Sequence, residues 1–255
     1  MLTQQTLESL QAMGLGGMAA AYRAQISDPE AHGLSFDERI GLLVDREWTD
    51  RQDRSLRRRL REAHLRLSAA CLEDIDYHTA RGLDHSLVRT LAEGRWLNDA
   101  QSVLITGPTG VGKTFLACAL ANAACRVGKH TRYYRTSQLV GELGLARADG
   151  SRPRLLARLA RLQLLVIDDW GLASLTPLEA RDLLDLVDDR CQSRATLIAS
   201  QLPLDRWHSV MPDPTVADAV LDRLVHGAYH IELHGESMRK LRATPPVKAG
   251  DAPTS

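Results

Sequence analysis

Residues 107–114 read GPTGVGKT, a glycine-rich run that ends in a lysine and a threonine. They fit the P-loop pattern G-x-x-x-x-G-K-[ST], in which glycines let successive backbone N–H groups turn toward phosphate oxygens. In that pattern Lys113 reaches the β- and γ-phosphates, where it acts in catalysis, and the Thr114 hydroxyl binds Mg²⁺. We therefore predict a nucleoside triphosphate site, the alternative being a structural glycine loop. The predicted contacts are Gly107, Pro108, Thr109, Gly110, Val111, Gly112, Lys113, Thr114 and Phe115.

Two adjacent aspartates, Asp168 and Asp169, follow the aliphatic run LLVI at 164–167. Burying one carboxylate without a partner is unfavourable, and two neighbouring carboxylates repel each other. A divalent cation offsets that repulsion, and P-loop proteins present such an acid to Mg²⁺ from a second aliphatic strand. We therefore predict that Asp168, with Thr114, binds Mg²⁺ and that Asp169 polarises the attacking water. The alternative for either aspartate is an N-cap of the following helix.

The elements that must position these residues alternate from about residue 100 onward. The hydrophobic pattern predicts strands at 102–106, 131–135, 164–168, 196–200 and 229–233, and helices near 113–127, 137–146, 152–162, 177–193 and 215–226. Strands interleaved with helices indicate a parallel sheet covered on both faces. The P-loop falls between the first strand and the first helix of this series, which is the context that its chemistry needs.

The chain before residue 68 shows helical spacing and no strand pattern. GLGG at 14–17 separates two short helices, and residues 35–67 predict one long helix that starts with a capping box, Ser35 and Glu38. The end of the chain is polar and rich in proline, which predicts disorder. The predicted organisation is a helical DNA-binding domain at 1–68, a connecting segment at 69–99 with a helix near 84–93, an ATPase domain at 100–240 and a disordered tail at 241–255.

The composition argues against several classes of protein. The chain has 255 residues, 44% of them apolar and 25% charged, with a formal net charge of zero, so no global field points to nucleic acid or to a membrane. No stretch approaches the roughly 18 apolar residues of a membrane helix, and no signal peptide is apparent. The four cysteines have no C-x-x-C spacing, which predicts reduced thiols. We expect a cytoplasmic protein with no membrane partner.

Several long stretches are distinctive: LGGMAAAY at 15–22, LSFDERIGLLVDREW at 34–48, SRPRLLARLARLQLLVIDDWG at 151–171, ASQLPLDRWH at 199–208 and ADAVLDRLVHGAYHIELHGESMRK at 217–240. Residues 100–240 resemble the AAA+ ATPases of the DnaA/DnaC group. Nearly the whole chain resembles the IstB-type helper ATPases of bacterial insertion-sequence transposons. The resemblance implies an α/β AAA+ core with a five-stranded parallel sheet behind a small all-helical domain. It also implies ATP and Mg²⁺ as cofactors and hydrolysis of ATP to ADP and phosphate.

The resemblance places two further residues in the site. AAA+ enzymes carry a polar sensor at the end of the strand between the two Walker strands, and Gln201 fits it better than Ser200. The alternative is that both residues cap the strand end. An arginine finger reaches the γ-phosphate of a neighbouring subunit, and Arg223 stands at the matching position. The alternative for Arg223 is a solvated helix face.

The chain departs from the AAA+ pattern in two ways. The residue after Asp168 is usually glutamate, and the shorter Asp169 implies slow hydrolysis, or hydrolysis stimulated by DNA or a partner. Only 22 residues follow Leu233, so we expect the C-terminal helical lid to be absent. The one candidate for a second sensor is then Arg239, in GESMRK.

One segment of the chain is strongly basic although the net charge of the whole chain is zero. RSLRRRLREAHLR at 54–66 holds six arginines against one acid, and such a run attracts a phosphate backbone. The alternative is a solvated helix face paired with acids upstream. Arginines at 152–161 form a second group, in a region that touches DNA in the DnaA/DnaC group. With few aromatics present, we expect backbone contacts rather than base readout. The predicted DNA contacts are Arg54, Arg57, Arg58, Arg59, Arg61, Arg152 and Arg154.

The resemblance implies an ATP-dependent homo-oligomer that assembles on duplex DNA and recruits or stimulates the transposase of the same insertion sequence. In a bacterial cell it would associate with the nucleoid when bound to DNA. A DnaC-like replicative helicase loader is the nearest alternative, although loaders need a helicase-docking module where this chain has a short basic part. A small-molecule kinase would need an acceptor site and an arginine-bearing lid, and neither is found. A nucleotide-binding scaffold without hydrolysis also stays open, because of Asp169.

Overall fold

A computed structural model of the chain describes residues 2–238. The chain divides into two compact units, with the boundary between Arg59 and Leu60. The predicted domain limits at 68, 99 and 240 stay predictions. Arg239 and the predicted tail at 241–255 lie outside the described residues.

The first unit is helical, as the spacing of its apolar residues predicts. Its helices are α1 (Leu2–Ala12), α2 (Gly16–Ser27) and most of α3 (Phe36–Ala63), with a 3₁₀ turn at Glu30–Gly33. The capping box is present, since the Glu38 amide donates to Ser35 Oγ at 3.3 Å and the Ser35 amide donates to Glu38 Oε2 at 2.8 Å. The predicted helical residues 64–67 are wrong: α3 ends at Ala63, and His64 adopts a φ of 49°.

A buried carboxylate joins α2 to α3. Glu47 accepts hydrogen bonds from the amides of Gly17 and Met18, at 2.8 and 3.2 Å, and so caps the start of α2. Arg51 donates to the other Glu47 oxygen at 2.7 Å, and this bond lowers the pKa of Glu47. A Cβ at Gly17 would lie 2.8 Å from the Glu47 Cα, so the crossing of the two helices needs glycine there.

The second unit holds the predicted sheet. Its strands are β1 (Val103–Thr106), β2 (Thr131–Arg135), β3 (Leu164–Trp170), β4 (Ala195–Ser200) and β5 (Tyr229–Glu232). They lie in the order β2-β3-β4-β1-β5, and all neighbours pair in parallel. The α/β prediction with five parallel strands is confirmed. Because the strands are parallel, every loop that leaves a carboxyl end opens at the same edge of the sheet.

The helices of this unit connect the strands. They are α4 (His85–Ala92), α5 (Arg95–Asn98), α6 (Lys113–Arg126), α7 (Thr136–Ala148), α8 (Arg152–Arg161), α9 (Pro177–Arg190) and α10 (Pro214–Val225), with 3₁₀ turns at Leu72–Asp74 and Leu204–Val210. The central strands β1, β3 and β4 are almost wholly buried, as expected of strands inside a parallel sheet. Within residues 2–238 no helix combines the length and the apolar character that crossing a bilayer requires.

Strand β3 contains a β-bulge at the acid pair. Ile167 pairs with Ile198 and Trp170 pairs with Ser200, so two residues of β3 stand opposite one residue of β4. The second of the two bulged residues, Asp169, has a φ of 58°, in the left-handed region. The N-cap alternative for the acids is wrong, because α9 begins only at Pro177 and Thr176 caps it.

Candidate nucleotide-binding site

The P-loop connects the end of β1 to the start of α6, as the motif predicts. Gly107 and Gly112 have φ values of 141° and 104°, which residues with a Cβ rarely adopt. A Cβ at Gly107 would also collide with the carbonyl oxygen of Leu233. The loop therefore curls over the amino end of α6, where backbone N–H groups and the helix dipole favour an anion.

Lys113 lies at the base of this loop, with its ammonium group held by two carbonyl oxygens. Nζ donates to Gly107 O at 2.7 Å and to Pro108 O at 2.8 Å. Burial lowers the pKa of Lys113, against the opposing effect of Asp168 and Asp169. A lysine ammonium has three hydrogens, so one donor remains for a phosphate oxygen in addition to these two bonds.

The two predicted magnesium ligands are in direct contact. Thr114 Oγ1 donates to Asp168 Oδ2 at 2.7 Å, and the Asp168 side chain is buried. Hydroxyl and carboxylate oxygens are the ligands that Mg²⁺ prefers, and it commonly takes only one or two of them from the protein. No group of three or more His, Cys, Asp or Glu residues that could hold a metal occurs in the described part of the chain. The residues present fit a magnesium ion that is bound partly by the nucleotide.

Asp168 has further partners that the sequence analysis missed. The Tyr133 hydroxyl donates to Asp168 Oδ2 at 2.7 Å, and the Asp169 amide donates to Oδ1 at 2.8 Å. Burial, followed by the charge of Asp168, raises the pKa of Tyr133, so the phenol stays protonated and remains a donor. A tyrosine in a strand carries no motif, and only the pairing of β2 with β3 brings it to the acid.

Asp169 lies between two arginines. Its Oδ2 is 3.5 Å from Arg66 Nη1 and 3.9 Å from Arg135 Nε. The sequence analysis grouped Arg66 with the basic run because of its position in the chain, and it did not assign a site role to Arg135. Asp169 also lines the cleft above the P-loop, together with Arg66 and Lys113.

The predicted sensor residues divide into two roles. Gln201 lines the cleft, and its Oε1 accepts a hydrogen bond from Thr109 Oγ1 at 2.6 Å. Ser200 instead secures the end of β4, since its hydroxyl donates to Trp170 O at 2.7 Å and accepts from the Leu202 amide at 3.1 Å. Strand β4 lies between β1 and β3, where the resemblance places the sensor strand.

The connecting segment supplies a further wall of the cleft, which has a volume of about 300 Å³. Leu67, Asp74, Asp76 and Arg81 line it from this side. Arg81 is buried and donates to Val111 O and to Asp76 O, both at 2.9 Å, so it ties the segment to the P-loop. A single arginine without a motif gave no signal for this contact in the sequence.

Arg223 does not join the site within one chain. It lies in the last turn of α10, which leads to the amino end of β5, whereas the P-loop leaves the carboxyl end of β1. Its Nε is 2.5 Å from Asp188 Oδ1, and this hydrogen bond raises the pKa of Arg223.

The predicted DNA contacts differ in exposure and in partners. Arg57, Arg58, Arg61 and Arg154 are exposed. Arg54 is 3.2 Å from Glu47 Oε1, and Arg59 donates to Ser55 Oγ at 2.7 Å. Arg152 pairs with two acids of α9, Asp182 at 2.8 Å and Asp185. Arg54 and Arg152 are therefore engaged in ion pairs, whereas Arg154 extends into solvent.

Comparison with known proteins identifies the family of this chain and solved structures of similar fold. The sequence pattern of the IstB-like ATP binding protein family matches residues 8–244. The insertion sequence ATP-binding protein y4pL of Sinorhizobium fredii is 48% identical over 240 residues, which cover 94% of this chain and 98% of that protein. The DnaC helicase loader superposes with a TM-score of 0.57 at 18% identity, over 64% of this chain and 96% of that one. The replication initiator DnaA, solved with AMPPCP and single-stranded DNA, gives 0.52 at 16% identity, over 66% of this chain and 50% of that one.

Proposed function

This chain belongs to the IstB-like ATP binding protein family, and on that premise we propose that it is an ATP-hydrolysing switch that acts on DNA. The observation that carries the proposal is the contact of Thr114 with Asp168 beside the P-loop, at 2.7 Å. A phosphate cradle with an adjacent pair of magnesium ligands is the arrangement that ATP hydrolysis needs.

In the proposed reaction the protein orients ATP and stabilises charge. The P-loop amides and Lys113 hold the β- and γ-phosphates, while Gln201 lies beside Thr109, where it can contact the γ-phosphate or the attacking water. Magnesium held by Thr114 and Asp168 would neutralise charge on the phosphates. Asp169 polarises the water, which attacks the γ-phosphorus and displaces ADP.

Removing the charge of Asp168 and removing that of Asp169 are expected to impair different steps, nucleotide binding and turnover respectively. Asp168→Asn should weaken Mg²⁺-dependent nucleotide binding by about 10- to 100-fold, since a ligand oxygen is lost. Asp169→Asn should leave binding unchanged and slow turnover by about 100-fold, which is typical of a lost general base. Nucleotide titrations with and without Mg²⁺, followed by steady-state ATPase assays, measure both effects. Equal turnover in Asp169→Asn and the unmodified protein would remove Asp169 from the mechanism.

We also propose that the complete site forms between subunits of a homo-oligomer. Arg223 lies at the sheet edge opposite the P-loop, so it can act as an arginine finger only on a neighbour's ATP. Release of Arg223 from Asp188 would precede that contact.

A mixing experiment tests this arrangement. Arg223→Ala should bind ATP normally and lose most of its turnover, and Lys113→Ala should lose turnover because it cannot hold ATP. Mixed together, the two should regain activity, since Lys113→Ala subunits supply Arg223 to intact P-loops. Arg206→Ala, an exposed arginine in a neighbouring 3₁₀ turn, is the control and should behave as the unmodified protein. No recovery on mixing, at concentrations where the proteins associate, would contradict the finger.

The proposed partners are duplex DNA and the transposase of the same insertion sequence. Membership of the family and the relative y4pL, an insertion sequence protein, support this assignment over a helicase loader. The DnaA neighbour, which has the same fold, was solved with a nucleotide analogue and single-stranded DNA. The discriminating experiment immobilises the ATP-loaded protein on duplex DNA and offers it an insertion-sequence transposase and, separately, a replicative helicase. Retention of the helicase alone would favour the loader.

A further inference from the structure

Arg66 lies in the ATPase cleft rather than on the basic surface suggested by its place in the sequence. Helix α3 ends at Ala63, His64 turns the chain with a φ of 49°, and Leu65 is buried. Arg66 thereby lines the same cleft as Lys113 and Asp169, and its side chain is only 34% exposed. It is separated by this turn from the arginines that precede it.

Arg66 pairs with the second acid of the bulge. Its Nη1 is 3.5 Å from Asp169 Oδ2. The first acid, Asp168, accepts a hydrogen bond from the Tyr133 hydroxyl at 2.7 Å. The charge of the Arg66 guanidinium therefore lies beside the acid proposed for water.

Asp169 stands on a bulge with left-handed backbone. Arg66 and Arg135 approach the same carboxylate oxygen, Oδ2, at 3.5 and 3.9 Å. Two cations that approach one oxygen restrict rotation of the carboxylate.

We infer that Arg66 is a positioning residue of the ATPase site, which holds the Asp169 carboxylate in the orientation that polarises water. The inference rests on the proposed role of Asp169 and adds the group that makes a shortened acid effective. Two other roles for an arginine at this place predict different results. An inhibitory pair would make turnover rise when Arg66 is removed. A direct contact with the γ-phosphate would make ATP binding fall.

A double-mutant cycle separates these roles, with kcat and the Kd for ATP measured without DNA. Arg66→Ala should lower kcat by about 10-fold or more, because a misplaced catalytic group commonly costs that much, and should leave the Kd within about 2-fold. Arg66→Lys should recover part of the loss. Arg66→Ala combined with Asp169→Asn should be no slower than Asp169→Asn alone, since the arginine acts only through that acid.

The matched control is Arg95→Ala. Arg95 also pairs with a carboxylate, Glu93 at 3.4 Å, but its side chain is 84% exposed, so its loss should change neither constant. Arg66→Gln, which keeps a polar side chain but removes the charge, guards against a folding defect, and its kcat should fall as in Arg66→Ala.

Several outcomes would overturn the inference. A rise of kcat in Arg66→Ala identifies an inhibitory pair, and a weaker Kd or a loss additive with Asp169→Asn identifies a role independent of Asp169. Unchanged kcat in Arg66→Ala, with a slow Asp169→Asn, defeats this inference and leaves the proposed function intact. Unchanged kcat in Asp169→Asn defeats the proposed role of Asp169, and the inference fails with it.

Discussion

Lys113→Ala is expected to lower ATPase turnover by about 1000-fold and to abolish measurable ATP binding at micromolar nucleotide, because it removes a cation from a buried anion site. The lysine is 7% exposed, and two carbonyl oxygens fix its ammonium group beneath the P-loop. No other lysine lines the cleft among the described residues. The measurement is titration with a fluorescent ATP analogue, followed by a steady-state ATPase assay.

The control for this variant lies just beyond the other end of the same helix. Lys129→Ala also removes one lysine with a hydrogen-bonded ammonium, since Lys129 Nζ donates to Asn98 Oδ1 at 2.6 Å, but its partner is exposed and distant from the P-loop. It should bind and hydrolyse ATP normally. Full ATPase activity in a folded Lys113→Ala protein would refute the nucleotide site, and a loss in Lys129→Ala would indicate a general folding defect.

Replacement of Arg57, Arg58 and Arg59 together by alanine is expected to weaken duplex binding by at least about 1000-fold at low salt. Each charge-assisted contact with a phosphate contributes about 1.5 to 3 kcal/mol, and oligomerisation multiplies the contacts. The salt dependence should flatten, because each lost contact removes about 0.9 from the log–log slope. All DNA sequences should be affected alike, and ATPase activity without DNA should persist. Titration of duplex at several salt concentrations, with and without ATP, measures the effect.

The control for the triple variant removes the same number of positive charges from another part of the chain. Arg89, Arg95 and Arg206 are exposed and lie outside the basic run, so their joint replacement by alanine removes the same charge. That protein should keep the affinity and the salt slope of the unmodified chain. If both triple variants lost affinity equally, the effect would be one of overall charge. If neither did, the DNA contacts would have to come from the arginines at 152–161.

Local sequence patterns were sufficient for the framework of the site. The P-loop, Thr114 and Asp168 each belong to a motif with a fixed strand or helix next to it, so their proximity followed from the parallel sheet. Gln201 was predicted from the resemblance, which places a polar sensor at the end of the strand between β1 and β3. These inferences depend on residues near one another in the chain or on one sheet edge.

The remainder of the site depends on contacts between distant segments. Tyr133 reaches Asp168 only through the pairing of β2 with β3, and Arg81 reaches the P-loop across 30 residues of chain. Arg66 was misplaced because the helical pattern continues past Ala63, whereas the chain turns at His64 to bury Leu65. Periodicity alone does not reveal where tertiary packing ends a helix.

The bulge in β3 imposes a left-handed backbone at position 169, and this conformation favours aspartate over a longer acid. Aspartate and asparagine enter the left-handed region more readily than longer side chains, because a short polar group can hydrogen-bond locally. Glutamate, the usual residue at this place in AAA+ ATPases, would have to be accommodated at a φ of 58°. Exchanging Asp169 for glutamate alone would therefore place a longer side chain in a backbone conformation that it adopts less readily. The acid and the bent segment of strand that carries it form one unit, and a change in the acid calls for a change in the backbone.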